Sequence, residues 1–309
     1  MPSCEECAAA REAAEALTAR ADAVVPAAQA AVDAAQDAKS AVAKTARRVA
    51  DLEASVKDQS TILANPPSFV GFEPTMDNYR DVFFERGTEG EDREASGLVT
   101  NFATSVIVAV SATVLATVIG TPAAWAYSRF PLKAGKDQLF FILSTRFMPP
   151  VVAVIPLFLM FRTLGLLDSR LGLVLLYTAF NLPFTIWMLK GFVDEIPAEY
   201  EDAAMVDGFS RVQAFRQVLL PLLRPGIFAT AVFSLIFTWN EFVFAIFLTP
   251  GGGAVRTAPP AIAGLFGGTE TQWGLVAASA VVFALPVLVF GYLVRNHLVA
   301  GMTFGAVRR

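Results

Sequence analysis

The chain has 309 residues, 55% of them hydrophobic and only 17% charged, with a mean hydropathy of +0.53. That balance excludes an ordinary water-soluble domain and points to a membrane. The net charge of −4 says little, because where the charges lie along such a chain matters more than their sum; no nucleic-acid partner is expected, and a single histidine leaves nothing to build a metal site from.

The first 58 residues are roughly one third alanine, densely charged, and lack any run of 18 apolar residues. Val24, Ala28, Ala31, Ala35, Ala38, Val42, Thr45, Val49, Leu52 and Val56 follow an a/d heptad register, interrupted near Pro26. A seam made mostly of alanine buries little area. Residues 1–58 are therefore read as an Ala-rich, charged segment, helical or disordered. Cys4 and Cys7 form a lone C-x-x-C without a second pair or nearby histidines, and are expected to be incidental thiols.

Five apolar runs follow, each long enough for a hydrocarbon core about 30 Å thick: Leu98 to Tyr127, Gln138 to Phe161, Leu171 to Phe192, Leu222 to Leu248, and Gly274 to Val294. The expected fold is all-α, a polytopic membrane helix bundle. Arg129, Lys133 and Lys136 separate the first two runs, Arg211, Arg216 and Arg224 lie in the loop at 193–221 and at the start of the fourth run, and Arg295, Arg308 and Arg309 close the chain. Arg170 and Arg256 stand on the opposite side. The bias places the loop at 193–221 and the tail at 297–309 in the cytoplasm.

In the first run, Ala112, Ala116, Gly120 and Ala124 recur every four residues, a small-residue face for close helix packing in lipid. In the second, Pro149, Pro150 and Pro156 interrupt the hydrogen-bond ladder and predict a kinked helix lining a cavity. Arg146 is the costly residue. On a straight helix it lies about 12 Å inside the cytoplasmic end, and a charge at depth faces the bundle interior with a partner. Glu241, at about 25 Å, is too far away, whereas Asn181 at about 15 Å is the better partner, together with carbonyls freed near the prolines. Arg146 and Asn181 are thus candidates for a buried polar network, either structural at a subunit interface or in contact with solute. Asn240 and Glu241, nearer the outer half, are candidates for lining a solute path. His297, just past the last run, is expected to be solvated.

Residues 199 to 221 are the most informative. Pro197 suits a first helical turn, and Glu199, Glu201 and Asp202 then sit at the positive end of that helix dipole. Gly208 supplies a left-handed residue to end the helix. Ser210 and Gln213 fit the capping box of a second helix, which would place Val212, Phe215, Val218 and Leu219 on one face and stop at Pro221. Ala203 and Ala204 leave a small surface that another backbone can approach.

At these residues the chain resembles the inner-membrane permease subunits of ATP-binding-cassette importers. Their cytoplasmic loop reads E-A-A, three residues, G, nine residues, then I-x-L-P; here it runs Asp202-Ala203-Ala204, three residues, Gly208, nine residues, then Val218-Leu219-Leu220-Pro221. Asp stands for Glu, with Glu201 just before it, and Val stands for Ile. Asn181-Leu182-Pro183-Phe184-Thr185-Ile186-Trp187, Thr238-Trp239-Asn240-Glu241-Phe242 and Gly301-Met302-Thr303-Phe304-Gly305-Ala306-Val307 resemble the carbohydrate branch, most of all the smaller permease of maltose-type systems. The resemblance covers roughly residues 55 to 309.

The resemblance implies a bundle of the type I importer kind in the bacterial inner membrane. It implies three partners: a second permease, a pair of cytoplasmic ATPases, and an extracytoplasmic solute-binding protein, with lipid around the bundle. Residues 59–97 become an extracytoplasmic linker, 98–296 the transmembrane permease domain, and Glu201, Asp202, Ala203, Ala204, Asp207 and Gly208 the ATPase-coupling element. Family members carry a first membrane helix where residues 1–58 lie. That helix is absent here, or the N-terminus is fused or frame-shifted. No signal peptide is visible to export it. The sequence holds no G-x-x-x-x-G-K-S/T, so no catalytic residue is expected, no cofactor belongs to this chain, and ATP is expected on the partner ATPase. A permease for polyamines or peptides is the alternative within the family; a solute channel would leave the helix pair at 199–221 without a purpose.

Overall fold

The computed structural model describes residues 52–64, 72–84, 97–267 and 271–304, the side chains of 254 and 293–304 excepted. The heptad register before Leu52, Cys4 and Cys7 lie outside the described residues, as do Asn65-Pro66-Pro67 and the end of the tail. The chain divides into two units, Met1–Ala54 and Ser55–Arg309. Of the first, only residues 52–54 are described, and they are helical. The second holds everything that follows.

Two short helices, α1 (Gln59–Ile62) and α2 (Asp77–Phe83), fold in the segment read as a linker. Asp58 caps α1 by accepting from Ser60 N at 3.0 Å. The Gln59 side chain donates to Thr271 O at 2.8 Å and accepts from Trp273 N at 3.1 Å, which ties α1 to the start of the last helix. The buried Asn78 side chain of α2 donates to the carbonyls of Ser55 and Lys57.

The longest helix, α3 (Gly97–Arg129), carries the small-residue stripe, and Ala112, Ala116, Gly120 and Ala124 are all buried. They face α6 (Arg170–Glu195), and this is the most extensive helix pairing in the bundle. Such closeness requires small residues: a Cβ on Gly120 would lie 2.7 Å from Thr185 Cγ2.

The second apolar run is broken at the prolines, far more sharply than a kink. It forms α4 (Gly135–Ser144), a tight turn over Thr145–Phe147, and α5 (Pro150–Thr163), with the two halves bent by 92°. Pro149 and Pro150 are the cause. Neither has an N–H for the ladder, and each forces the preceding residue out of the helical region, so Met148 and Pro149 are extended (ψ 126° and 127°). Pro150 then opens α5 as a first-turn proline.

After α6 come α7 (Glu199–Val206), α8 (Arg211–Ala214) and, through a wide π turn over Phe215–Leu219, α9 (Leu220–Trp239). Pro221 does not stop this helix. In the π turn the Leu220 N–H reaches back to Phe215 O, which lets Pro221 enter as a first-turn residue. The apolar face is as expected at Leu219, which is buried, and at Phe215 and Val218, which are half-buried, but Val212 is 53% exposed and Ala214 is buried in its stead.

The fourth run ends earlier than its hydropathy suggests. α9 stops at Trp239, residues 240–242 break the helix, and α10 (Val243–Leu248) is a separate short helix against α5. Short α11 (Ala258–Gly264) and long α12 (Trp273–Phe304) complete the chain. His297 therefore lies within a continuing helix. Among the described residues, four helices are long and apolar enough to span, and five spans result if the bent α4–α5 pair counts as one. Large apolar side chains such as Ile155 (70% exposed) and Val118 (64%) stand on the outside, as a lipid-embedded bundle requires.

Candidate functional site

Two polar constellations stand out, one at the loop between α6 and α9 and one at the level of the α4–α5 elbow. In the loop, α7 has three carboxylates in its first turn, where the helix dipole favours them. Its two faces differ. Glu201 and Ala204 are buried, while Tyr200, Asp202, Ala203, Val206 and Asp207 are exposed. Gly208 has φ +95° and an added Cβ would meet nothing within 4 Å, so backbone geometry alone demands glycine there. The turn closes with Phe209 N donating to Ala204 O at 3.0 Å. The capping box is reciprocal: Gln213 N donates to Ser210 Oγ at 3.3 Å, and Ser210 N donates to Gln213 Oε1 at 2.7 Å.

The buried Glu201 carboxylate accepts from Arg129 Nε at 2.6 Å and from Trp125 Nε1 at 2.8 Å. Arg129 also donates to Ile196 O at 2.6 Å and to Ser128 Oγ at 3.1 Å. Ser128 Oγ in turn donates to Asp194 Oδ1 at 2.5 Å, and Lys190 pairs with Asp194 at 2.5 Å. Trp125 packs on Phe215 with ring centroids 4.6 Å apart. Beneath lie Val193, Leu219 and Leu223, all essentially inaccessible.

At the elbow a cavity of about 220 Å³ is lined by Arg146, Tyr177, Asn181, Phe237, Thr238 and Glu241, among others. Arg146 sits in the tight 3-10 turn, not within an α-helix. Its Nη1 donates to Phe180 O at 2.8 Å and its guanidinium covers the Phe237 ring at 4.8 Å. Four of its five donors have no protein partner among the described residues. Asn181 is not its partner: Nδ2 donates to Thr238 Oγ1 at 2.6 Å. Glu241 accepts from Tyr177 Oη at 2.6 Å and from the N–H groups of Phe244 (2.9 Å) and Ala245 (3.2 Å), which caps α10. Depth counted along straight helices placed Arg146 and Glu241 too far apart for one site. The elbow and the 240–242 break bring both to the same cavity. Asn240 is exposed outside it and bonds back to Ile236 O at 2.8 Å.

Residues 116–303, which include both constellations, match the family described as binding-protein-dependent transport system inner membrane component. The chain belongs to this family. It is a multi-pass inner-membrane permease. Relatives include the trehalose transport system permease protein SugB of Mycobacterium tuberculosis, 38% identical over 82% of this chain and 87% of that protein. The diacetylchitobiose uptake system permease protein DasC of Streptomyces coelicolor is 34% identical over 70% and 78% of the two chains. The trehalose/maltose transport system permease protein MalG of Thermococcus litoralis is 31% identical over 82% and 88%. A solved bacterial ABC transporter that imports alginate shares the fold, with a TM-score of 0.64 over 86% of this chain and 94% of that chain at 20% identity.

In this permease, sequence reasoning found the Gly208 turn and the Ser210–Gln213 box. It missed Trp125, Arg129 and Tyr177. Arg129 counted only as one more charge in a basic loop, and Tyr177 as part of an apolar run. The available signal was the cost of burying Glu201 and Glu241, each of which demands a donor somewhere in the chain.

Proposed function

We propose that this permease is one membrane-spanning subunit of an ATP-driven importer for a sugar or related polyol, and that α7 is its contact with the ATPase. The observation that carries this reading is the exposed face of α7. Tyr200, Asp202, Ala203 and Val206, the last 87% exposed, form a small, partly apolar ridge at the end of the bundle, held by a glycine turn and a capping box. Among the described residues, none packs over that ridge. A helix so firmly capped yet so open on one side suits insertion into a cleft of a partner.

In this reading the loop lies in the cytoplasm, and Asp202, Ala203, Ala204, Asp207 and Gly208 define the docking helix and its stop. The permease forms half of the path with a second permease, two cytoplasmic ATPases bind the ATP, and an extracytoplasmic protein delivers solute. The chain itself is non-catalytic and holds no cofactor. Closure of the ATPase pair moves α7, and the bundle rocks to switch access. Relatives named for trehalose, diacetylchitobiose and trehalose/maltose support a sugar. The elbow cavity supports a polar solute path, since Arg146 offers free donors beside the aromatic face of Phe237.

The test is uptake of radiolabelled sugars by the complete assembly in proteoliposomes. Uptake of at least one sugar, dependent on internal ATP and on the binding protein, is the expected result. ATP-independent equilibration would instead favour a channel.

A further inference from the structure

Within the loop, Glu201 behaves unlike its neighbours. Asp202, Ala203 and Val206 face outward, but the Glu201 side chain is only 8% exposed and its partners lie on α3. The chain path makes this notable. α7 is joined directly to α6 through Ile196–Ala198 and to α9 through α8 and the π turn, while α3 ends about 70 residues earlier and reaches the loop along the chain only by way of α4, α5 and α6. What joins α3 to α7 is the Arg129–Glu201 ion pair at 2.6 Å together with the Trp125–Glu201 hydrogen bond at 2.8 Å. Arg129 binds two further places, the Ile196 carbonyl at the end of α6 and Ser128, and Ser128 reaches Asp194. The fork geometry of one guanidinium thus gathers the ends of α3, α6 and α7.

We propose that Glu201 is a positioning residue and not a docking residue: with Arg129 and Trp125 it clamps the coupling helix to α3, so that displacement of α7 moves α3 and α6 as one body. The inference rests on the reading of α7 as the ATPase contact. Partly buried, doubly hydrogen-bonded carboxylates resist rearrangement, because a separated partner is left desolvated and unpaired. The small-residue stripe then carries the motion onward, since Ala112, Ala116, Gly120 and Ala124 hold α3 against α6 along its length. Without the clamp, α7 would act on α6 and α9 through its chain connections, and α3 would keep only the packing of Trp125 on Phe215.

The experiment uses the complete transporter in proteoliposomes and three chains: wild type, Glu201→Gln and Arg129→Lys. Glu201→Gln keeps the size and an acceptor for Trp125 but removes the ion pair. Arg129→Lys keeps the charge and loses the fork. ATPase retained on the purified permease, ATP hydrolysed and sugar transported are measured together. Expected is full ATPase retention in all three, with sugar transported per ATP falling about two- to thirtyfold in Glu201→Gln and less in Arg129→Lys. A wild-type ratio in Glu201→Gln overturns the clamp. So does loss of the ATPase in that variant, which would make Glu201 a docking residue. A wild-type permease that retains no ATPase overturns the docking reading and the clamp with it. Should Glu201→Gln not accumulate, the Arg129→Lys ratio decides, a wild-type value there counting against the proposal.

Discussion

Gly120 offers a quantitative test of how α3 and α6 meet. Replacing it by Ala would put a Cβ 2.7 Å from Thr185 Cγ2 and 3.3 Å from Thr185 Cβ. Thr185 cannot swing away freely, because it is fully buried and its hydroxyl bonds Ser234 Oγ at 3.1 Å. Overpacking of this kind costs about 1–3 kcal/mol. Replacing glycine by alanine inside a helix returns about 0.8–1 kcal/mol of propensity. The net expectation for Gly120→Ala is a loss of about 1–2 kcal/mol, taking the overpacking term in its upper half. Thr185→Ser removes the colliding methyl and keeps the hydroxyl, costing about 0.8 kcal/mol alone. In the double variant the new methyl occupies the vacated space. The two changes should therefore compensate by about 1 kcal/mol or more relative to their sum. The unfolding temperature of the purified complex reads this out, at about 2–4 °C per kcal/mol if soluble domains of roughly 150–250 residues are a guide. Additive effects, or an unaltered Gly120→Ala variant, would refute the close contact.

Arg146→Leu removes a charge-assisted bond worth about 1.5–3 kcal/mol and the contact with the Phe237 ring; reduced assembly or uptake is expected, with Arg146→Lys restoring part, and normal uptake by the Leu variant would deny any role for the cavity network. Tyr177→Phe strips one donor from Glu241 and leaves the two backbone donors that cap α10. A fall in unfolding temperature of several degrees is expected, and an unchanged value would mean that water replaces the phenol. Gly226→Ala sets a Cβ 2.5 Å from Phe192 Cγ, against a ring that also roofs Val193 and Leu219. Its thermal penalty should exceed that of Gly120→Ala, and the reverse order would contradict the packing described.

Features written locally in the chain were legible. The Ser210–Gln213 box and the Gly208 turn each depend on residues within a few positions of one another, so spacing suffices. The stripe Ala112, Ala116, Gly120, Ala124 was legible because period four is a helix face in itself. Pro221 misled because its usual effect assumes an α-helical ladder, and the π turn before it shifts the register by one residue. Hydropathy carried the fourth span through Asn240, since one amide and one carboxylate barely lower a window average; only the capping of Phe244 and Ala245 by Glu241 explains the break. Depth estimates for Arg146 and Glu241 failed for a related reason, as neither residue sits on a straight helix. The Arg129–Glu201 pair joins positions 72 residues apart, and no local pattern marks which arginine of a basic end turns inward.

If α7 transmits work between ATPase and solute path, Gly208→Val should break that transmission. Valine at φ +95° is strained, although the space around the site is open. The turn after α7 must then rearrange while the buried bundle is untouched. In proteoliposomes holding the complete transporter, ATP hydrolysis and sugar uptake should be recorded together for the wild-type and variant chains. The variant is expected to insert normally but either to release the ATPase or to hydrolyse ATP with little uptake. Full uptake at the wild-type ratio, with the ATPase retained, would contradict it.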